Sequence, residues 1–158
     1  MPKTLDRSWI EKNIPHHGRM CLLDEVMEWD ARHIRCRSST HRLPDHPLRS
    51  HGRLGAACGI EYAAQAMAVH GALTGGESAR PEAGFLAALR DVRLHVLRLD
   101  DCDAELHCEA VLVAGNQGSA LYEFALQSGA RQLLHGRATV VFDAGNRASA
   151  GVSVPENA

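Results

Sequence analysis

The chain has 158 residues, a formal net charge of -2 and a pI near 6.5, with 45% hydrophobic and 23% charged residues. That is the length and balance of one globular domain with its own core, and it offers no basic field for nucleic acid. Five cysteines form no CxxC pair, and MPKTLDRSWIEKN lacks the apolar core of a signal peptide, so a reducing cytoplasm is expected.

Ser8-Trp9-Ile10-Glu11 fits a capping box and predicts a short helix from Ser8 that ends before Pro15. IPHHGR then reads as a turn on Pro15 and Gly18, and CLLDEVMEWD as a strand. RHIRCRSST alternates, with Ile34, Cys36 and Ser38 on one side, and Asp30-Ala31 suits a tight hairpin between the two runs. HRLPDHPLRSHGRLG has no period and carries prolines and glycines, which predicts a loop.

From Ala56 the chain is apolar on almost every helical face, and it stops at Gly75-Gly76. Such a helix is buried all round or lies in a membrane. Fewer than about twenty apolar residues, interrupted by Glu61, Gln65 and His70, make a poor span, so a central buried helix is expected.

A polar connection, GGESARPEAG, precedes four strand-like runs. GFLAALRDVRLHVLRL alternates from Arg90. DAELHCEAVLV places Leu106, Cys108 and Ala110 together, SALYEFALQ places Tyr122 and Phe124, and RQLLHGRATVVF places Ala138 and Val140. GNQG and SGA suit hairpin turns, and the four runs read as a meander. The expected unit is residues 1–143, with a flexible tail over 144–158. The fold class is α+β, a curled antiparallel sheet wrapped around a long central helix. Its open edge makes at least a homodimer the expected state.

A carboxylate inside such a helix is costly unless paired, neutral or functional, which singles out Glu61. Burial among Ala57, Ile60 and Ala64 predicts a raised pKa and a protonated acid, with Gln65 one turn on to orient it. Gly55 and Gly59 leave room for close approach to a ligand. His41, His46 and His51 recur every five residues, a spacing that fits no helical or strand face, so no metal site is expected. Arg42, Arg49 and Arg53, with Arg90, Arg93 and Arg98, are candidates for docking an acidic partner. No dinucleotide loop and no Gly-x-Ser-x-Gly elbow is present.

IPHHGRMCLLDEV resembles the N-terminal motif of the hot-dog 3-hydroxyacyl-acyl-carrier-protein dehydratases, with Pro15, His16, Leu22, Asp24 and Val26 on matching positions. GIEYAAQAM resembles that family's central-helix motif, in which the catalytic carboxylate precedes a glutamine by one turn, and Glu61 and Gln65 take those places. The likeness runs in order from Ile14 to Phe142, and Gly-Ile-Glu-Tyr points to the dehydratase-like proteins of aryl polyene pigment clusters.

The resemblance implies a hot-dog fold and cofactor-free dehydration of a 3-hydroxyacyl group on the phosphopantetheine of acyl carrier protein, in fatty-acid-like or polyene synthesis. A histidine and a carboxylate would serve as base and acid, and helix-terminal amides would polarise the thioester. The family's histidine loop is altered, however. Its slot holds Pro47 by spacing, with His46 adjacent, whereas matching prolines brings His51 to the position. His16, beside the substrate tunnel in the family, is a third candidate. Glu61, His16 and His51 are therefore the catalytic candidates, and Gln65, Gly59 and His46 the substrate-binding ones. The altered loop also fits a non-catalytic subunit paired with an active hot-dog dehydratase. A hot-dog thioesterase is the other alternative.

Overall fold

The structure is a computed structural model and describes residues 3–75 and 85–142. The polar connection after the central helix and the expected tail from 144 lie outside the described residues, apart from Gly75.

Strand β1 (Leu5–Asp6) leads directly into helix α1 (Arg7–Asn13). The cap is Asp6, whose side chain accepts the Trp9 N–H at 2.9 Å, so the helix starts before the Ser8 box predicted for it. Strands β2 (Glu25–Trp29) and β3 (His33–Ser38) form the expected hairpin, with Ile34, Cys36 and Ser38 buried. The turn is fixed by Asp30, whose carboxylate accepts the Arg32 N–H at 2.8 Å.

A 3-10 turn over Ala56–Cys58 feeds helix α2 (Gly59–Thr74), capped by Gly75. Tyr62, Ala63, Ala66, Met67 and Val69 are buried against the sheet, and full burial of each larger side chain contributes about 1.5–3 kcal/mol. Among the described residues, the helix is not covered all round. Glu61, Ala64, Ala68 and Ala72 share one side by helical spacing, and that side is only half buried. Its small residues gave the stretch its uniformly apolar look.

Strands β4 (Phe85–Leu94), β5 (Leu106–Gly115), β6 (Ser119–Ser128) and β7 (Arg131–Val141) complete one antiparallel sheet in the order β1-β2-β3-β5-β6-β7-β4. The meander expected for four strands holds for three. β4 leaves α2 and pairs with β7 at the far edge, because β3 takes the free side of β5 through six paired positions. Bulges at Leu86/Ala88 and Arg90/Arg93 break the alternation of β4, and Asp91 takes φ 54° at the second. Leu86, Leu89 and Leu94 on this edge remain about 40–48% exposed. On the outer face of the sheet, Arg37 pairs with Glu25 and Glu105, and His33 with Glu109.

Candidate active site

The N-terminal segment after α1 is held from two directions. From α1, Arg7 donates to the Gly18 carbonyl at 2.9 Å and to the Cys21 carbonyl, and pairs with Asp24 at 3.3 Å. From α2, the fully buried Gln65 accepts the Leu22 N–H at 2.8 Å and donates to the Met20 carbonyl at 2.7 Å. This anchoring carries His16 to the first turn of α2, where its Nε2 lies 3.1 Å from Glu61 Oε1. Gln65 donates to the same oxygen at 3.3 Å.

Glu61 is therefore in a different state from the protonated one its neighbours suggested. The His16 hydrogen bond, and then that of Gln65, outweigh partial burial and hold its carboxyl below the usual glutamate value. The side chain is also 35% exposed, on the uncovered side of α2. A cleft of about 1010 Å3 continues along that side, past Pro15, Ala64, Ala68 and Ala72, toward Leu112 and Phe142. A titratable pair beside a cleft of mixed apolar and polar lining suits proton-transfer chemistry on a partly apolar substrate.

The sequence model of the ApeP-like family, described as ApeP dehydratase, matches residues 8–149. The chain belongs to this family of dehydratases. It is thus a dehydratase-type protein of hot-dog fold. The ApeI:P dehydratase heterocomplex from Xenorhabdus doucetiae matches with a TM-score of 0.75 at 22% identity, over 84% of this chain and 90% of that one. PaaI from E. coli matches at 0.56 and 11% identity, over 73% and 80%. A mutant form of the thioesterase PA1618 from Pseudomonas aeruginosa gives 0.54 and 11%, over 74% and 78%. At these identities the structural matches speak to the fold. No curated protein sequence matches significantly.

Of the three histidines, the structure brings His16 to Glu61 and sends the others elsewhere within the chain. His46 is buried, with Nε2 3.0 Å from the Tyr62 hydroxyl and Nδ1 accepting the Leu48 N–H at 3.1 Å. Since Nδ1 accepts, Nε2 carries the hydrogen and donates it to Tyr62. Tyr62 lies 2.7 Å from Thr40 Oγ1, which donates to the Leu22 carbonyl at 2.8 Å. His51 is exposed in the turn bridging Ser50 and Arg53, with φ 53° and its Nδ1 3.0 Å from Ser50 Oγ. Gly59 faces the sheet rather than the cleft: a Cβ there would press on Leu134 and come within 2.8 Å of Leu126. Its smallness lets α2 approach β6 and β7.

Several of the arginines considered for docking are staples of the loop before α2. Asp100 takes Arg98 in a tight ion pair, Arg49 at 3.5 Å and the Leu54 N–H at 2.9 Å. Arg98 above all holds its carboxyl far below the usual range. Arg42 donates to the Asp103 carbonyl at 2.7 Å. Neither Asp100 nor Tyr62 stood out in the sequence, because the partners of each are distant along the chain. Among the described residues, no cluster of three or more metal-ligating side chains is present, and no helix is long and apolar enough to cross a membrane.

Proposed function

We propose that this protein dehydrates 3-hydroxyacyl thioesters on acyl carrier protein to trans-2-enoyl thioesters, in fatty-acid-like or polyene synthesis, without a cofactor. The observation that carries the reading is the 3.1 Å contact of His16 with Glu61 beside the cleft. Loss of water from a 3-hydroxyacyl group needs one proton taken from C2 and one given to the departing hydroxyl, and the pair supplies groups for both. In the turn entering α2, the N–H groups of Ala56, Cys58 and Gly59 are engaged by backbone carbonyls. Ala57 lies one turn before Glu61 on the same side, and its N–H is the amide suited to polarise the thioester carbonyl. Five free cysteines favour a cytoplasmic setting.

The test is the purified protein with a 3-hydroxyacyl-carrier-protein substrate, followed by enoyl absorbance. Product formation that disappears in Glu61→Gln supports the proposal; release of free thiol without enoyl product replaces it with thioester hydrolysis.

A second reading has its own support. The similar ApeI:P structure is a heterocomplex, and among the described residues β4 stands at the end of the sheet with Leu86, Leu89 and Leu94 exposed. On this reading the chain is a non-catalytic partner of an active hot-dog subunit. Activity that appears only with a second hot-dog protein and survives Glu61→Gln here would establish it. Otherwise the same edge serves a homodimer or a higher oligomer.

A further inference from the structure

Residues 21–24 belong to no strand or helix, so the backbone of Leu22 finds its hydrogen-bond partners outside any ladder. Among the described residues those partners are all side chains. Gln65 accepts the Leu22 N–H at 2.8 Å, and Ser38 and Thr40 donate to the Leu22 carbonyl at 2.5 and 2.8 Å. With its oxygen turned to Leu22, the Gln65 amide gives one hydrogen to the Met20 carbonyl and the other to Glu61 Oε1. Leu22 thus orients Gln65, and Gln65 faces Glu61.

The carbonyl side of Leu22 leads back to His46. The Leu48 N–H can only donate, so His46 Nδ1, 3.1 Å from it, accepts, and the ring carries its hydrogen on Nε2. A charged ring would set two donors against each other there. Burial above all holds the His46 pKa below its ordinary value, with Arg49 and His41 adding to it and Asp45 opposing. Nε2 donates to the Tyr62 oxygen at 3.0 Å. Burial also keeps the Tyr62 hydroxyl protonated, and Thr40 Oγ1 accepts its hydrogen at 2.7 Å. Thr40 passes its own hydrogen to the Leu22 carbonyl, which can only accept. The chain therefore has one direction, fixed by a backbone donor at one end and a backbone acceptor at the other.

His46, Tyr62, Thr40, Ser38 and Gln65 are all buried, none more than 6% exposed. No bulk water stands ready to replace a lost link, so breaking one strands a donor or an acceptor. Tyr62 and Gln65 stand three residues apart on α2. The helix grips Leu22 directly at its N–H and, through Thr40, at its carbonyl.

We propose that His46, Tyr62 and Thr40 are positioning residues for Glu61, acting through Leu22 and Gln65; their effect on turnover rests on the dehydration reading. Proton transfer stays with the His16–Glu61 pair. The histidine of the altered loop serves that pair from a distance, as a fixed neutral donor.

The experiment compares Tyr62→Phe, Thr40→Val, Thr40→Ser and His46→Gln with wild type in the full chain. Three quantities are read: amide exchange at Leu22 against the amides of β5 and β6, NMR titration of the Glu61 carboxyl, and kcat and KM with a 3-hydroxyacyl-carrier-protein substrate. Tyr62→Phe and Thr40→Val each remove one link and keep the packing. Both should speed Leu22 exchange about tenfold relative to the strands. Both should raise the Glu61 pKa as Gln65 loosens, and lower kcat about tenfold with KM within about threefold. Thr40→Ser keeps the hydroxyl and should stay near wild type in all three. His46→Gln offers an oxygen to Leu48 and an N–H to Tyr62, and should do the same.

A Glu61 titration unmoved in both Tyr62→Phe and Thr40→Val overturns the proposal, whatever their stability. So does a His46→Gln variant that loses turnover with Leu22 exchange and Glu61 titration unchanged, since His46 would then meet the substrate itself. Nitrogen NMR of wild type at pH 7 should find the His46 hydrogen on Nε2. The opposite tautomer overturns the direction of the chain, even where a variant fails to fold. If wild type makes no enoyl product, the dehydration reading falls, and the Leu22 and Glu61 readings still decide the positioning.

Discussion

His16 and Glu61, separated along the chain by two strands, 3-10 turns and a long loop, meet at 3.1 Å within one chain. Neither group needs a second subunit to reach the other. Co-refolding His16→Ala chains with Glu61→Gln chains is therefore expected to restore no dehydration, since every site in a mixed dimer lacks one member. Recovery toward about a quarter of wild-type activity, as statistical mixing of a two-fold dimer gives, would mean that the working pair is shared between chains.

Asp100 is expected to matter to the stability of the loop before α2, not to turnover. Its side chain is 5% exposed and serves two guanidinium groups and the Leu54 N–H. Asp100→Asn should cost about 1–3 kcal/mol at neutral pH by weakening these bonds. The carboxyl is depressed in the fold, so its contribution is complete above the ordinary aspartate pKa of about 3.9 and fades as pH drops below it. Urea midpoints of wild type and variant should converge from pH 6 toward pH 3; a gap that stays constant would refute the role.

Three buried histidines set a second pH dependence of opposite practical reach. Burial lowers the pKa of His41, His46 and His70 alike. The unfolded chain then binds more protons than the fold, so their contribution is intact above about 6.5 and is lost as pH falls below it. Stability is expected to drop between pH 7 and pH 5, with a slope of at most about 1.4 kcal/mol per pH unit for each histidine. Denaturant titrations at three pH values measure it, and a flat response across that window would contradict the neutral assignments.

The β4 edge makes a prediction about assembly. Leu89 is 40% exposed on an edge strand, so Leu89→Lys should leave the protomer fold intact and add a charge where a partner strand would pair. Light scattering should show a shift to monomer. An unchanged oligomer would place the interface elsewhere.

Much of the fold was legible because its signals are local. The alternation of Ile34, Cys36 and Ser38, or of Tyr122, Phe124 and Leu126, follows from a period of two and survives in the burial pattern. The stop at Gly75 and the buried helix before it were equally direct. What stayed hidden depends on distant pairing. Nothing within residues 84–99 reveals that this run lies beside β7 rather than β5. The charge of Glu61 was misjudged for a related reason: its sequence neighbours are apolar, but its partner His16 arrives from the N-terminus. Which of the three histidines lies beside Glu61 was not legible either, since two of them lie in a loop whose length departs from the motif it resembles.

The placement of β4 has a further consequence for biogenesis. It follows α2 in the chain, yet its sheet partner is β7, the last described strand. A nascent chain emerging N-terminus first can assemble β2, β3 and α2 early, but it holds the leucine-bearing edge unpaired until residues 131–141 have left the ribosome. Subunit pairing through that edge, where it occurs, waits for β7 to be in place. A ribosome-bound fragment ending before β7 would be the species most in need of chaperone protection.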